Sequence, residues 1–168
     1  YRGVQKIYRT FKKIRKDIEI TVNSNINPES PKTLKEKANS LRGKKNISIS
    51  FLVTENTRFT TAGDLFSAKG LGEELRQLNY TVGYRARMPD NQWYKLPEDV
   101  DIVVAMLPDY DARLCSKDGL IKLAWIRGLV DEWLSNPSLK YFDGIVATSG
   151  YVLDYIKRKR MDLREKCL

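Results

Sequence analysis

The sequence predicts an α/β fold: a Rossmann-like, doubly wound and mostly parallel sheet of about five strands, preceded by an N-terminal amphipathic helical extension. From residue 47 onward, short apolar runs alternate with helical or long polar segments, and strands joined by such crossovers pair in parallel. Two of these runs, over 121–126 and 144–148, stop abruptly at polar residues or glycine. Because open parallel sheets bind ligands at the carboxyl ends of their strands, the residues there are the first candidates for a site.

Hydrophobic periodicity places the elements in order. Strands are predicted over 47–54, 81–87, 101–107, 121–126 and 144–148, and helices over 64–79, near 129–134 and over 151–163. Trp125 lies in an apolar strand and is predicted to be part of the core. Gly70 and Gly72 fall inside the first of these helices rather than at its start. They are therefore predicted to allow close packing of helix on sheet rather than to bind a dinucleotide.

The first 46 residues are predicted to form a separate basic extension, an amphipathic helix over 1–20 and a linker over 22–45. They carry 13 Lys/Arg against 4 Asp/Glu, which accounts for the whole net charge of +9. The domain over 47–168 is neutral, which argues against nucleic acid as a partner. Two interpretations of the helix stay open. It lies on an anionic membrane surface, or it packs on this domain or on a partner chain.

Composition excludes several kinds of site. The chain has no histidine, so it contains no Ser-His-Asp triad, no Cys-His pair and no zinc site that needs imidazole. Its two cysteines form no disulfide framework or metal motif, and we expect no metal cofactor and a cytoplasmic protein. No apolar stretch approaches the ~20 residues that cross a bilayer.

Three positions at predicted strand ends are candidates for binding. The long polar loop over 55–63 contains Arg58 and ends in Gly63, where a ligand can approach the backbone. Asp64 is predicted as the N-cap of the helix that follows. Arg127 ends the fourth strand, where its guanidinium either meets a ligand or forms a structural ion pair. Ser149 precedes the last helix and either caps it or binds a ligand at the same point.

The chain over about 47–156 resembles the N-terminal, acceptor-side domain of GT-B glycosyltransferases, of the family 1 and family 4 type. The order and spacing of several short motifs carry the resemblance. In chain order these are Ala62-Gly63-Asp64, Leu71, Leu75, Asp101-Ile102-Val103-Val104, Ala124-Trp125-Ile126-Arg127, Trp133 and Phe142-Asp143-Gly144-Ile145-Val146-Ala147-Thr148-Ser149. Gly128 departs from the asparagine expected after the arginine.

The resemblance implies transfer of a sugar from a nucleotide-diphosphate sugar to an acceptor, without a bound metal. Gly63 and Asp64 would face the cleft, with Arg127 and Ser149 nearby. The donor nucleotide would bind a C-terminal domain that is not in this chain, which we expect downstream of Leu168.

The stereochemistry of transfer decides whether this domain needs a base. An inverting reaction requires one, and without histidine the candidates are Asp64 and Asp109. A retaining reaction requires none. The alternative function is a non-catalytic Rossmann-like binding or scaffold domain, docking to a membrane or partner through its basic helix.

Overall fold

A computed structural model describes residues 33–168, so the predicted basic helix over 1–20 lies outside the described residues. The described chain forms one five-stranded sheet in the order β2-β1-β3-β4-β5, and every neighbouring pair is parallel. The strands are β1 (Ile47–Glu55), β2 (Tyr80–Met88), β3 (Ile102–Ala105), β4 (Ile121–Ile126) and β5 (Gly144–Ala147). The helices are α1 (Leu34–Ser40), α2 (Gly63–Gln77), α3 (Val130–Ser135) and α4 (Gly150–Lys159).

Helices cover both faces of this sheet, which confirms the predicted α/β, Rossmann-like class. One face packs on α1 and α2 through a core that includes Phe51, Leu71 and Trp125. The other face packs on α3, α4 and several 3₁₀ turns through a second core that includes Trp133 and Phe142. Strands buried on both sides consist of continuous apolar runs, which is why β1 and β4 are conspicuous in the sequence.

Several element boundaries differ from the prediction, most of them by one or two residues. The third strand stops at Ala105 rather than at residue 107. The last helix stops at Lys159, because Arg160 leaves helical geometry with φ −129° and ψ 82°. A 3₁₀ segment over Met161–Lys166 follows. After this segment the chain returns to the sheet, where the Leu168 amide donates to the Ile145 carbonyl at 2.9 Å.

The linker predicted over 22–45 is wrong for its last part, which forms α1. Thr33 and Glu36 make a reciprocal capping box that starts this helix, an arrangement that satisfies two otherwise free backbone donors. Ala38 and Leu41 are buried in the first core. The Lys37 ammonium lies 2.8 Å from the Asp143 carboxylate, and both side chains are largely buried. Residues 34–41 are therefore part of the packed domain.

The packing role predicted for the helix glycines is confirmed at one of them. A Cβ on Gly72 would lie 2.3 Å from the Tyr84 hydroxyl and 3.1 Å from Cγ1 of Val82, both on β2. Only glycine lets α2 approach this strand so closely. A Cβ on Gly70 would meet no atom within 4 Å. Trp125 is buried in the core, as predicted.

Candidate functional site

The strand order places the candidate residues along one edge of the sheet. From β1 the chain passes to the edge strand β2 and then returns to form β3 on the other side of β1. The direction in which successive strands are added therefore reverses between the neighbouring strands β1 and β3. In doubly wound sheets with this order, the crevice outside the carboxyl ends of such a strand pair is where ligands bind. Gly63 follows β1 and Arg127 follows β4. Both therefore lie at this edge.

Arg127 and Gly63 are brought together, although 63 residues separate them in the chain. A Cβ on Gly63 would lie 4.0 Å from Nη2 of Arg127, so the guanidinium lies over the start of α2. Its Cζ is 5.7 Å from the centre of the Trp125 ring, within the range of a cation–π contact. Trp125 itself is buried. The Trp125 ring therefore packs against the Arg127 guanidinium and is not exposed to a ligand.

The charge of Arg127 is only partly compensated. Half-burial lowers the pKa of its guanidinium, and the nearby Asp64 carboxylate opposes that shift. Within residues 33–168, however, no carboxylate or carbonyl accepts a hydrogen bond from Arg127. A half-buried guanidinium keeps its full charge at neutral pH, and its donors are free to bind an anionic or hydroxyl-bearing ligand.

Asp64 has a different role from the predicted N-cap, and that prediction is wrong. The helix starts one residue earlier, at Gly63, and Ala62 occupies the N-cap position without a side-chain hydrogen bond. The Asp64 carboxylate instead accepts the Thr54 amide at 2.6 Å, and the residue is buried. An acidic side chain in the first turn also interacts favourably with the helix dipole. Asp64 therefore ties the start of α2 to the end of β1.

Asp109 lies in the loop after β3 and forms an ion pair with Arg87 of β2. Both side chains are about half exposed. The Arg87 guanidinium also lies 5.6 Å from the centre of the Trp93 ring. Sequence reasoning missed Arg87. Its position at the end of the second predicted strand was the available signal, because that is where a side chain reaches the same edge.

The other two candidates are exposed. Arg58 lies in a turn of the loop between β1 and α2. Ser149 caps α4, since its hydroxyl accepts the Val152 amide at 3.2 Å, which confirms the capping interpretation. The Thr148 amide donates to the Ile126 carbonyl at 3.2 Å. That bond holds the chain just before Ser149 beside the chain just before Arg127.

An aromatic cluster in the loops after β2 and β3 holds these two loops together. It consists of Trp93, Tyr94 and Tyr110. The Trp93 indole donates to the Val53 carbonyl at 2.8 Å, and the Tyr94 hydroxyl accepts the Asp111 amide at 2.9 Å. Tyr94 and Tyr110 stack with ring centres 5.2 Å apart. Burial raises the pKa of the Tyr110 hydroxyl strongly. It is therefore a neutral core group that does not serve as an acid or base at neutral pH.

No protein-family model, curated protein or solved structure matches the chain.

Two features are absent from residues 33–168. In that part of the chain no helix is both long and apolar enough to span a membrane. The same residues contain no cluster of three or more metal-ligating side chains.

Proposed function

We propose that this chain is the acceptor-side domain of a glycosyltransferase that uses a nucleotide-diphosphate sugar. The resemblance of its motifs to the GT-B enzymes supports the reaction class. The all-parallel sheet supports the domain type. On this proposal the donor domain lies downstream of Leu168, the sugar acceptor is the ligand of this chain, and transfer takes place in the cytoplasm without a bound metal.

The observation that carries the proposal is the Arg127 guanidinium over Gly63 at the carboxyl edge of the sheet. Nothing in residues 33–168 accepts its hydrogen bonds. Forked donors of this kind bind phosphate, carboxylate or vicinal sugar hydroxyls. Arg127 would orient the acceptor, while Gly63 leaves room for it against the start of α2.

The contacts of Asp64 and Asp109 indicate which of the two carboxylates is the better candidate for a general base. Asp64 is buried and accepts the Thr54 amide, so it lacks the access that a base needs to reach an acceptor hydroxyl. Asp109 is about half exposed and could exchange its Arg87 partner for a substrate. If transfer inverts the anomeric centre, Asp109 is therefore the better candidate, and Asp64 acts by positioning the loop.

The test is donor consumption by the natural full-length protein with a panel of nucleotide-diphosphate sugars, followed as release of the nucleoside diphosphate. We expect release with one donor, and a loss of at least tenfold in kcat/KM for the acceptor in Arg127→Gln. Arg113→Gln is the matched control, because Arg113 forms an ion pair on the surface with Asp111, two residues before it in the chain. A folded full-length protein that neither binds nor consumes any donor would refute the proposal.

One observation favours the non-catalytic alternative. Both candidate carboxylates take part in contacts within the domain, as expected of a binding or scaffold module. If the full-length protein is inactive but still docks to a membrane or partner through residues 1–20, that alternative is supported.

A further inference from the structure

Three exposed apolar side chains lie within four residues of Gly63 or Arg127 in the chain. Phe59 is 87% exposed, Phe66 is 61% exposed and Leu129 is 53% exposed. Phe59 lies in the loop that leads to Gly63, and Phe66 lies one turn beyond it in α2. Leu129 follows Arg127 by two residues. All three therefore belong to the segments that meet where the Arg127 guanidinium lies over Gly63.

The backbone at Leu129 is strained. Its φ is 53°, a left-handed conformation that is unfavourable for a residue with a side chain. Glycine would adopt it without that cost. An exposed leucine at such a position contributes little to the core, so its apolar surface is available to a ligand.

The polar part of the same place favours an anion. The first amides of α2 have no side-chain cap, and the start of a helix carries a partial positive charge. The guanidinium of Arg127, from which no group in residues 33–168 accepts a hydrogen bond, adds a full positive charge. A cation whose neighbouring segments carry exposed aromatic and aliphatic side chains matches a molecule that joins an anionic group to an apolar chain.

We propose that the acceptor bound at this edge is a lipid phosphate, with its phosphate on Arg127 and the start of α2 and its apolar chain on Phe59, Phe66 and Leu129. This deepens the proposed function, on which its description as an acceptor rests. Binding of the lipid phosphate by this chain is independent of sugar transfer, and it is measured without any nucleotide sugar.

The experiment is isothermal titration calorimetry of the 168-residue chain with three probes. The two dodecyl compounds are used below their critical micelle concentrations. Dodecyl phosphate carries both parts of the ligand, inorganic phosphate only the anion, and dodecyl maltoside an apolar chain without the anion. We expect dodecyl phosphate to bind at least tenfold more tightly than either of the others.

Two variants separate the parts of the site. Arg127→Gln should weaken dodecyl phosphate at least tenfold and leave dodecyl maltoside unchanged. The double variant Phe59→Ser, Phe66→Ser should weaken both dodecyl probes and leave inorganic phosphate unchanged. All three side chains are at least partly exposed, and a urea denaturation curve for each variant verifies that it is folded.

The matched control replaces two exposed apolar residues elsewhere, Leu114→Ser with Met161→Ser. It should bind dodecyl phosphate like the unmodified chain. Equal weakening by this control, or dodecyl phosphate binding no better than dodecyl maltoside, would overturn the inference. If dodecyl phosphate binds as expected but the full-length protein consumes no donor, the proposed function fails and the lipid-phosphate site stands.

Discussion

At the scale of single residues, Asp64 shows how one contact can decide the role of a side chain. A carboxylate beside a glycine at a strand end is typical of a helix cap or of a catalytic base. The structure instead buries it against the Thr54 amide. Thr54 is the second-last residue of β1, and the carboxylate gives its partly buried amide a hydrogen-bond acceptor.

Replacing Asp64 therefore tests a structural contact. Asp64→Ala leaves the Thr54 amide without a partner and should lower the free energy of unfolding by about 1–3 kcal/mol. Asp64→Asn keeps an oxygen acceptor and should cost under about 1 kcal/mol. Urea denaturation measures both. The control is Glu73→Ala, at an exposed position of the same helix, which should change stability by less than about 0.5 kcal/mol. Equal losses for Asp64→Ala and Glu73→Ala would contradict this role.

At the scale of elements, the contact of α2 with β2 depends on the absence of a side chain. Gly72 faces the Tyr84 hydroxyl, which is buried and has no hydrogen-bond partner within residues 33–168. Phe51 stacks on the Tyr84 ring with centres 6.0 Å apart, so the ring has little freedom to move aside. The helix lies close to the strand, and its first turn is thereby fixed near Arg127.

Two alanine substitutions in α2 should have opposite effects. Gly70→Ala meets no atom and should raise the free energy of unfolding by about 0.5–1 kcal/mol through helix propensity. Gly72→Ala should lower it by about 1–3 kcal/mol, because the new methyl group overlaps Tyr84. Thermal and urea denaturation would show the difference in sign.

Tyr84→Phe tells whether the hydroxyl is the obstacle. This substitution removes the unsatisfied hydroxyl. It should raise the free energy of unfolding more in the Gly72→Ala background than in the unmodified chain. The same effect in both backgrounds would show that the glycine has another role.

At the scale of the whole molecule, α1 closes one side of the domain. Its Lys37 reaches the amino ends of β4 and β5 through the Leu120 carbonyl and the Asp143 carboxylate. The same carboxylate accepts the Lys122 amide at 2.8 Å. Leu41, just after α1, packs in the core beneath. Residues before the first strand therefore help to hold the sheet that carries the site.

The same substitution at two leucines tests this contribution. Leu41→Ala should lower the free energy of unfolding by about 2–3 kcal/mol, since it opens a cavity under α1. Leu114→Ala, at an exposed position, should change it by less than about 0.5 kcal/mol. Urea denaturation of the two variants provides the comparison. If Leu41→Ala is as mild as Leu114→Ala, residues 34–41 do not stabilise the domain.

The predictability of the candidate site depended on how local each contact is. The cap at Ser149 could be predicted from the sequence, because it involves a backbone amide three residues away. The pairing of Asp109 with Arg87 and the bond from Thr54 to Asp64 could not. They depend on where separate segments lie at the edge of the sheet. Arg127 was a candidate from its place at a strand end, but its contact with Gly63 joins the ends of two strands that are not neighbours.

The sequence by itself determined the α/β class and the strands of the sheet, because strands buried on both faces need continuous apolar runs whatever their neighbours are. It also placed Arg127 and Gly63 at strand ends. Only the tertiary structure decided the strand order, the inclusion of residues 34–41 in the core, and which charges are paired. Those depend on long-range packing, which no local pattern encodes. The Arg127 guanidinium, which lies over Gly63 and has no hydrogen-bond acceptor within residues 33–168, is one such result.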